Sequence, residues 1–528
     1  MRDFHLPGRS PVYAANAICA SSHPIAVDIA LDQLKAGGNA VDAAIAGALA
    51  LGLAEPAMTG LGGDMFALVK PAGSETVTGL NASGRAPAGV SAAALRAKGW
   101  SEMDPDDANS VVVPGAVKGF EALMAAHGRL GLEAVVQPVI RLAEEGMPVM
   151  PRPAFDWIDN VAKMQGAMRR FYLKDGRAYR AGERFVHQGQ AEVLRLIGAQ
   201  GAAGFYEGPV AEDMVASLQA HGATHKMEDF AAATADWVSP VSGPYRGAEL
   251  IELPPNTHGL AAILMAGILE HFDLKGLDPQ GVERVHLEIE AAKLAYAARN
   301  EAISDPAHMT IDPDVFTDGR LAAELAGRID RTRAGTPPAR TIVEREHQDT
   351  IYLTVVDRDR MAVSLIYSVY HDFGSCIASE RYGINFNNRG AGFNLVEGHP
   401  NELGPRKRPM HTIIPAMLRQ DGRVAMSFGV MGGGYQPHGH VRLISNMLDF
   451  GMDVQAAQDM GRVFHDKGRT WIERGCPPAL TAGLTAKGHD VTLRHVPLGG
   501  SQAIVIDHER GVLIGGTDPR KDGCAHGF

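Results

Sequence analysis

From residue 22 onward, apolar side chains recur at helical spacing through HPIAVDIALDQLK, stop at Gly37 and Gly38, and resume behind Asn39. Asn39 stands where an N-cap accepts backbone N–H bonds, so the pattern predicts two packed helices. The second begins with the most apolar run of the chain, AVDAAIAGALALGL, 14 residues that include Asp42. A bilayer-spanning helix needs about 20 apolar residues, so this one predicts a buried core helix and no membrane span. MTGLGGDMFALVK then turns through glycines into a strand, and SVVVPGAVKGFEALMAAHG predicts a strand, a Pro-Gly turn and a helix. A long helix is expected from about residue 282 to about 301, closed by Asp305 and Pro306. Residues 326–349 carry many charges and Pro337-Pro338 without apolar periodicity, which predicts an exposed, flexible connection. Pattern resumes at once after it. TIYLTVV alternates, DRDR supplies a turn, and MAVSLIYSVY is a second β-rich run, so Thr350 heads the first strand of a hairpin.

Composition narrows the classes. Of 528 residues 45% are hydrophobic, with 61 glycines and 31 prolines, which describes a globular chain rich in tight turns, with domain count left open. A net charge of −11 without long single-sign blocks argues against nucleic acid as a partner, because a phosphate-binding face needs a basic stripe. Cys19, Cys376, Cys476 and Cys524 lie far apart and form no CxxC pair, so neither a disulfide framework nor a thiolate zinc site is expected. The N-terminal MRDFHLPGRSPVYAANA places charge and proline where a signal peptide needs an apolar core, and a cytoplasmic protein is expected.

Thr350 raises a chemical question. A threonine hydroxyl is a weak nucleophile and needs a base beside it. Cutting the Asp349–Thr350 bond would supply one, since a free α-amine titrates at about 7.7–8.0. The exposed stretch before it suits such a cut. A β-branched residue that simply opens a strand after a loop explains the same spacing. Acyl chemistry also wants oxyanion donors, and Gly432-Gly433-Gly434 leads into a helix where backbone N–H groups are offered. The run does not match GxxxxGK[ST], and a plain strand-to-helix turn remains open. His438 and His440 lack an HExxH partner set and read as polar surface or turn histidines, so neither metal nor cofactor is expected.

These residues resemble the γ-glutamyltransferases, or glutathione hydrolases, of the N-terminal nucleophile superfamily. The likeness covers nearly the whole chain through AGGNAVDAAIAGALALGLAEPAMTGLGGDMF, VPGAVKGFEAL, LPPNTHGLAAILM, DTIYLTVVDRDRMAVSLIYSVYHDFGS, NFNNRGAGF, MGGGYQPHGHVRLISNMLDFGM and GTDPRKDG. It implies an α+β fold, a four-layer αββα sandwich made as a precursor that cuts itself before Thr350. Residues 1–349 become a large chain and 350–528 a small one, interwoven as one unit. It further implies Thr350 as nucleophile in both self-cleavage and amide hydrolysis, Gly432 and Gly433 as the oxyanion hole, and Ser368 where the family has a threonine hydroxyl touching the nucleophile.

Substrate recognition departs from the family pattern. Where glutamyl enzymes carry an arginine in R-E-x-A-P, this chain has Ser83 in Ser83-Gly84-Arg85-Ala86-Pro87. Gly392 in Asn387-Asn388-Arg389-Gly390-Ala391-Gly392-Phe393 stands where the family has the aspartate that takes the α-amino group. Tyr370 replaces an asparagine, and His411-Thr412 replace paired serines. Losing the partners of a buried ammonium and carboxylate should disfavour a glutamyl donor by several kcal/mol. Arg389, Tyr370, His411, Thr412 and Arg85 are expected to line a smaller, more basic pocket, although Arg389 also admits a surface ion-pair reading. A small amide with one carboxylate and no amino group fits, and the chain resembles the oxamate amidohydrolase branch in length and in lacking a secretion signal. The alternatives are a γ-glutamyl hydrolase or transpeptidase, a wider-pocket acylase, and an uncut scaffold without activity. Substrate, water and the two chains are the expected partners, with a homodimer left open.

Overall fold

The computed structural model describes residues 4–5, 8–336 and 350–528. Asp349 and the stretch 337–349 of the expected connection lie outside the described residues. Two seven-stranded sheets organise the molecule. The first runs Val12–Ala14, Val512–Thr517, Gly500–Asp507, Arg423–Met431, Ala416–Gln420, Ala248–Glu252, Val241–Tyr245. The second runs Cys524–Gly527, Ile18–Ser21, Ile351–Val356, Ala362–Ser368, Asp64–Lys70, Thr78–Ala82, Asp236–Val238. Every neighbouring pair in both is antiparallel. Each sheet draws strands from before and after residue 350.

The strand Ile351–Val356 shows why the layers form. Period-2 alternation sends Ile351, Leu353 and Val355 to a helix-packed cluster, while Tyr352 and Val356 join the core between the sheets with Phe66, Ile366, Met417 and Ile504. Both faces are apolar, so the strand must be covered twice. Helices Pro24–Lys35, Ala40–Ala54 and Ala116–His127 cover the second sheet, with Leu132–Glu145 packed outside them, and Gly259–Glu270 and Gln436–Leu448 cover the first, with Val282–Ala302 packed outside them. The result is the αββα sandwich.

The Ala40–Ala54 helix is buried along its whole length. Its Asp42 is tolerated because the carboxylate accepts from Asn39 N at 2.8 Å, from Leu130 N at 2.9 Å and from Arg129 N at 3.0 Å. The capping box with Asn39 is complete. Two expectations need correction. Residues 111–113 form no strand: the Val112 peptide is paired by the Asn387 side chain on both sides, and Val113 N donates to Arg85 O. The start of the expected connection is also tied down, since Ala334 N donates to Lys487 O and Gly335 N to Glu290 Oε2 at 3.0 Å. Among the described residues no helix is long and apolar enough to cross a membrane.

Candidate active site

Strand register assembles the site. The ladder pairing Ile351 with Tyr367 continues to bring Thr350 opposite Ser368, and Ser368 pairs with Asp64 on the next strand. Three neighbouring strand ends thus present Thr350, Ser368 and Asp64 side by side, all fully buried. Thr350 Oγ1 donates to Ser368 Oγ at 3.5 Å. Ser368 Oγ also accepts from Tyr370 N at 2.9 Å and from Arg389 Nη2 at 3.4 Å. Arg389 therefore stands one hydroxyl away from Thr350.

Arg389 is fully buried, which excludes the surface ion-pair reading. Its Nη1 donates to Thr412 Oγ1 at 3.1 Å, its Nε lies 3.6 Å from Asp64 Oδ2, and its guanidinium sits 4.0 Å over the Tyr370 ring. Tyr370 pays for this position with φ of +85°, a left-handed conformation rare for an aromatic residue and typical of strained functional sites. His411 Nδ1 faces Ile413 N at 3.4 Å, which fixes Nε2 as the protonated nitrogen and lets it donate to Asp64 Oδ2 at 3.1 Å. Gly84 N donates to the other Asp64 oxygen at 2.8 Å.

Burial pushes the Asp64 carboxyl up to about 6, against the opposing pull of the Arg389 charge. Burial likewise lowers Arg389 to about 10, which leaves it cationic at neutral pH. Asp64 is the residue that sequence reasoning missed. Its signal was a carboxylate that closes a glycine run and heads a strand whose next residues, MFALV, are all apolar.

Gly432 and Gly433 end the strand Arg423–Met431 with φ of +120° and +55°. Thr354 Oγ1 meets Ser427 Oγ at 2.7 Å, and the Tyr352 ring lies over Gly429. These contacts set the strand that carries the glycine turn across the hairpin strand headed by Thr350. A Cβ on Gly432 would stand 2.9 Å from Gly499 Cα, so glycine is required for space as well as for φ.

Residues 26–528 match the family described as Gamma-glutamyltranspeptidase. The chain belongs to the gamma-glutamyltranspeptidase family. It is 34% identical over 529 residues to a glutathione hydrolase-like YwrD proenzyme of Bacillus subtilis (strain 168), covering 98% of this chain and 99% of the relative. It is 32% identical over 540 residues to an oxamate amidohydrolase proenzyme of Klebsiella pneumoniae, covering 98% and 99%. Among solved structures, a cephalosporin acylase from Bacillus halodurans superposes with a TM-score of 0.92 at 36% identity, over 100% of this chain and 99% of that one. Membership makes this chain an amide-hydrolysing enzyme of the N-terminal nucleophile fold.

Against that family, the substrate-reading positions can be placed. Ser83 is buried in an amide network, with Asn256 Nδ2 donating to its Oγ at 3.2 Å. At Gly392 a Cβ would stand 2.7 Å from Met410 O, so no aspartate fits without backbone movement. Arg85 is held apart from the Arg389 cluster, its guanidinium 3.4 Å from Asp305 and 3.6 Å from Asp236. It lines a cleft of about 330 Å³ with Ser83, Gly84, Val113, Gly115 and Arg406. His438 and His440 are not surface residues. Both are buried in the helix Gln436–Leu448, where His440 Nδ1 meets Glu252 Oε1 at 2.6 Å and Nε2 accepts from Val430 N at 3.1 Å. The ring nitrogens of His440 serve the contact between this helix and the first sheet, whereas His438 Nε2 lies 3.9 Å from Glu288 Oε2 on the helix Val282–Ala302.

Proposed function

We propose that this family member cuts itself before Thr350 and then hydrolyses the amide of a small substrate bearing one carboxylate, with oxamate as the simplest candidate. The buried Arg389 fork, one hydroxyl from Thr350, carries the reading. Arg389 attracts the carboxylate while Tyr370 and His411 limit the space around it. Thr350 Oγ attacks the amide carbonyl, the Thr350 α-amine takes its proton, and the Gly432 and Gly433 amides receive the oxyanion. Collapse expels ammonia, which leaves with the proton from the amine, and water then releases the second carboxylate from the ester and restores Thr350. Ser368 holds the nucleophile hydroxyl in place. The Klebsiella relative named for oxamate supports the substrate class.

A second reading, cleavage of a longer amide such as a γ-glutamyl amide, is favoured by the cleft beside Arg85. Gly84 lines that cleft and also donates to Asp64, so the cleft adjoins the cluster and offers Arg85 and Arg406 to a second acid group.

The test is a denaturing gel of the purified protein beside Thr350→Ala, N-terminal sequencing of any small fragment, and ammonia release from oxamate against γ-glutamyl-p-nitroanilide cleavage. Bands of about 37 and about 19 kDa from the 56.1 kDa chain, starting at Thr350 and absent from the variant, are expected, with ammonia from oxamate. Turnover of the anilide alone moves the assignment to the second reading. One uncut, inactive band in both proteins overturns the hydrolase mechanism and promotes a scaffold.

A further inference from the structure

Helix Val282–Ala302 places His286 and Glu290 four residues apart, on one face and one turn from each other. Both are buried, and both face His489, which follows the helix Pro478–Ala486. His286 Nδ1 lies 2.8 Å from His489 Nε2, Glu290 Oε1 lies 3.9 Å from the same nitrogen, and one ligand atom from each residue falls within 4.8 Å of the others. This cluster belongs to the outer helical layer, not to the strand ends that carry Thr350, Ser368 and Asp64.

The hydrogen-bond pattern around it fixes lone pairs. His286 Nε2 faces the Asp330 carbonyl at 2.8 Å. A carbonyl only accepts, so Nε2 carries the proton and Nδ1 turns a lone pair toward His489. A histidine whose far nitrogen is held by a carbonyl is the arrangement that orients metal ligands. His489 then donates its Nε2 proton to that lone pair, while its Nδ1 has no hydrogen-bond partner among the described residues. We propose that His286, Glu290 and His489 bind one divalent transition metal of the zinc class, with water completing the coordination.

Two imidazoles and one carboxylate suit zinc, cobalt or nickel better than calcium or magnesium. Ligand bonds of about 2.0–2.2 Å need the two facing nitrogens to open by roughly half an ångström, a side-chain adjustment. The metal replaces the single proton between the rings, and His489 moves that proton to its Nδ1. Lys293 Nζ donates to Glu290 Oε1 at 2.7 Å and to Gly335 O at 3.2 Å, so it occupies the carboxylate until a metal displaces it toward Gly335. His286 and Glu290 precede residue 350 and His489 follows it. After the proposed cut the metal therefore bridges the two chains, and it is tied to Asp330 and Gly335 of the first one.

The experiment uses chelator-treated, desalted protein titrated with Co²⁺ and then Zn²⁺, read by calorimetry, visible d–d absorption and melting temperature. About one Co²⁺ per chain, displaced by Zn²⁺, with a raised melting temperature, is expected. His489→Ala and Glu290→Gln should each weaken binding roughly a hundredfold and abolish the thermal shift. Glu290→Gln keeps the side-chain volume and answers the question if His489→Ala fails to fold. Absence of stoichiometric binding in the unmodified protein overturns the proposal, as does binding that both variants leave unchanged.

Discussion

At the scale of single residues, the site turns on a buried cation whose partners are mostly hydroxyls. Arg389 donates to Ser368 and Thr412, stacks on Tyr370 and has Asp64 as its nearby carboxylate. Arg389→Lys keeps the charge but loses the planar fork and the stacking. It should lower kcat/KM for a carboxylate-bearing amide by roughly a hundredfold, chiefly through KM, in steady-state ammonia assays. Asp64 gives a pH signature. Its pKa, raised from 3.8 to about 6, means that ionising it opposes folding: this stability is fully present below the unfolded value and is lost as pH rises through about 6. Protonated Asp64 also stops competing for Arg389. KM for an anionic amide should therefore fall as pH drops from about 7 to about 5, and Asp64→Asn should flatten the KM profile over that window and the melting-temperature profile between 3.8 and about 6. A KM that retains its pH dependence in the variant would assign it to another group.

At the scale of elements, a hairpin and a glycine turn deliver the chemistry. Thr350 and Ser368 meet because the Ile351–Val356 and Ala362–Ser368 strands pair in one register, and a one-residue slip would turn every side chain to the other face. The turn after Met431 is equally constrained. Gly432→Ala must place a Cβ against Gly499 at φ of +120°, so it should reduce both self-cleavage and amide hydrolysis by about 10²–10³-fold. Circular dichroism should show the sheets kept, because the clash is confined to the turn. The hairpin was legible in the sequence from its alternation and turn residues. The pairing of Val112 with Asn387 was not, because three consecutive valines satisfy strand propensity whether their backbone bonds go to a strand or to one asparagine side chain.

At the scale of the whole molecule, the two segments divided at residue 350 share both sheets. Val12–Ala14 pairs with Val512–Thr517, Ile18–Ser21 lies between Cys524–Gly527 and Ile351–Val356, and Ala248–Glu252 pairs with Ala416–Gln420. A cut before Thr350 would leave every one of these ladders intact. The processed protein should elute from size exclusion with both fragments in a single peak, and separate only when denaturant unfolds the sheets; separation in native buffer would contradict this packing.

The sequence by itself determined the helices with complete apolar faces, the hairpin headed by Thr350, the glycine turn and the family. These are local patterns, and period, capping and motif order are visible along one dimension. Only the tertiary structure decided that Arg389 is buried on Tyr370, that Asp64 stands beside Ser368, that Gly392 has no room for a side chain, and that His438 and His440 lie in the core. The environment of a charge or an imidazole is made by residues hundreds of positions away, as Asp64 and His411 are from each other. Burial and partner, which set what such groups can do, arise when the sheets close on one another.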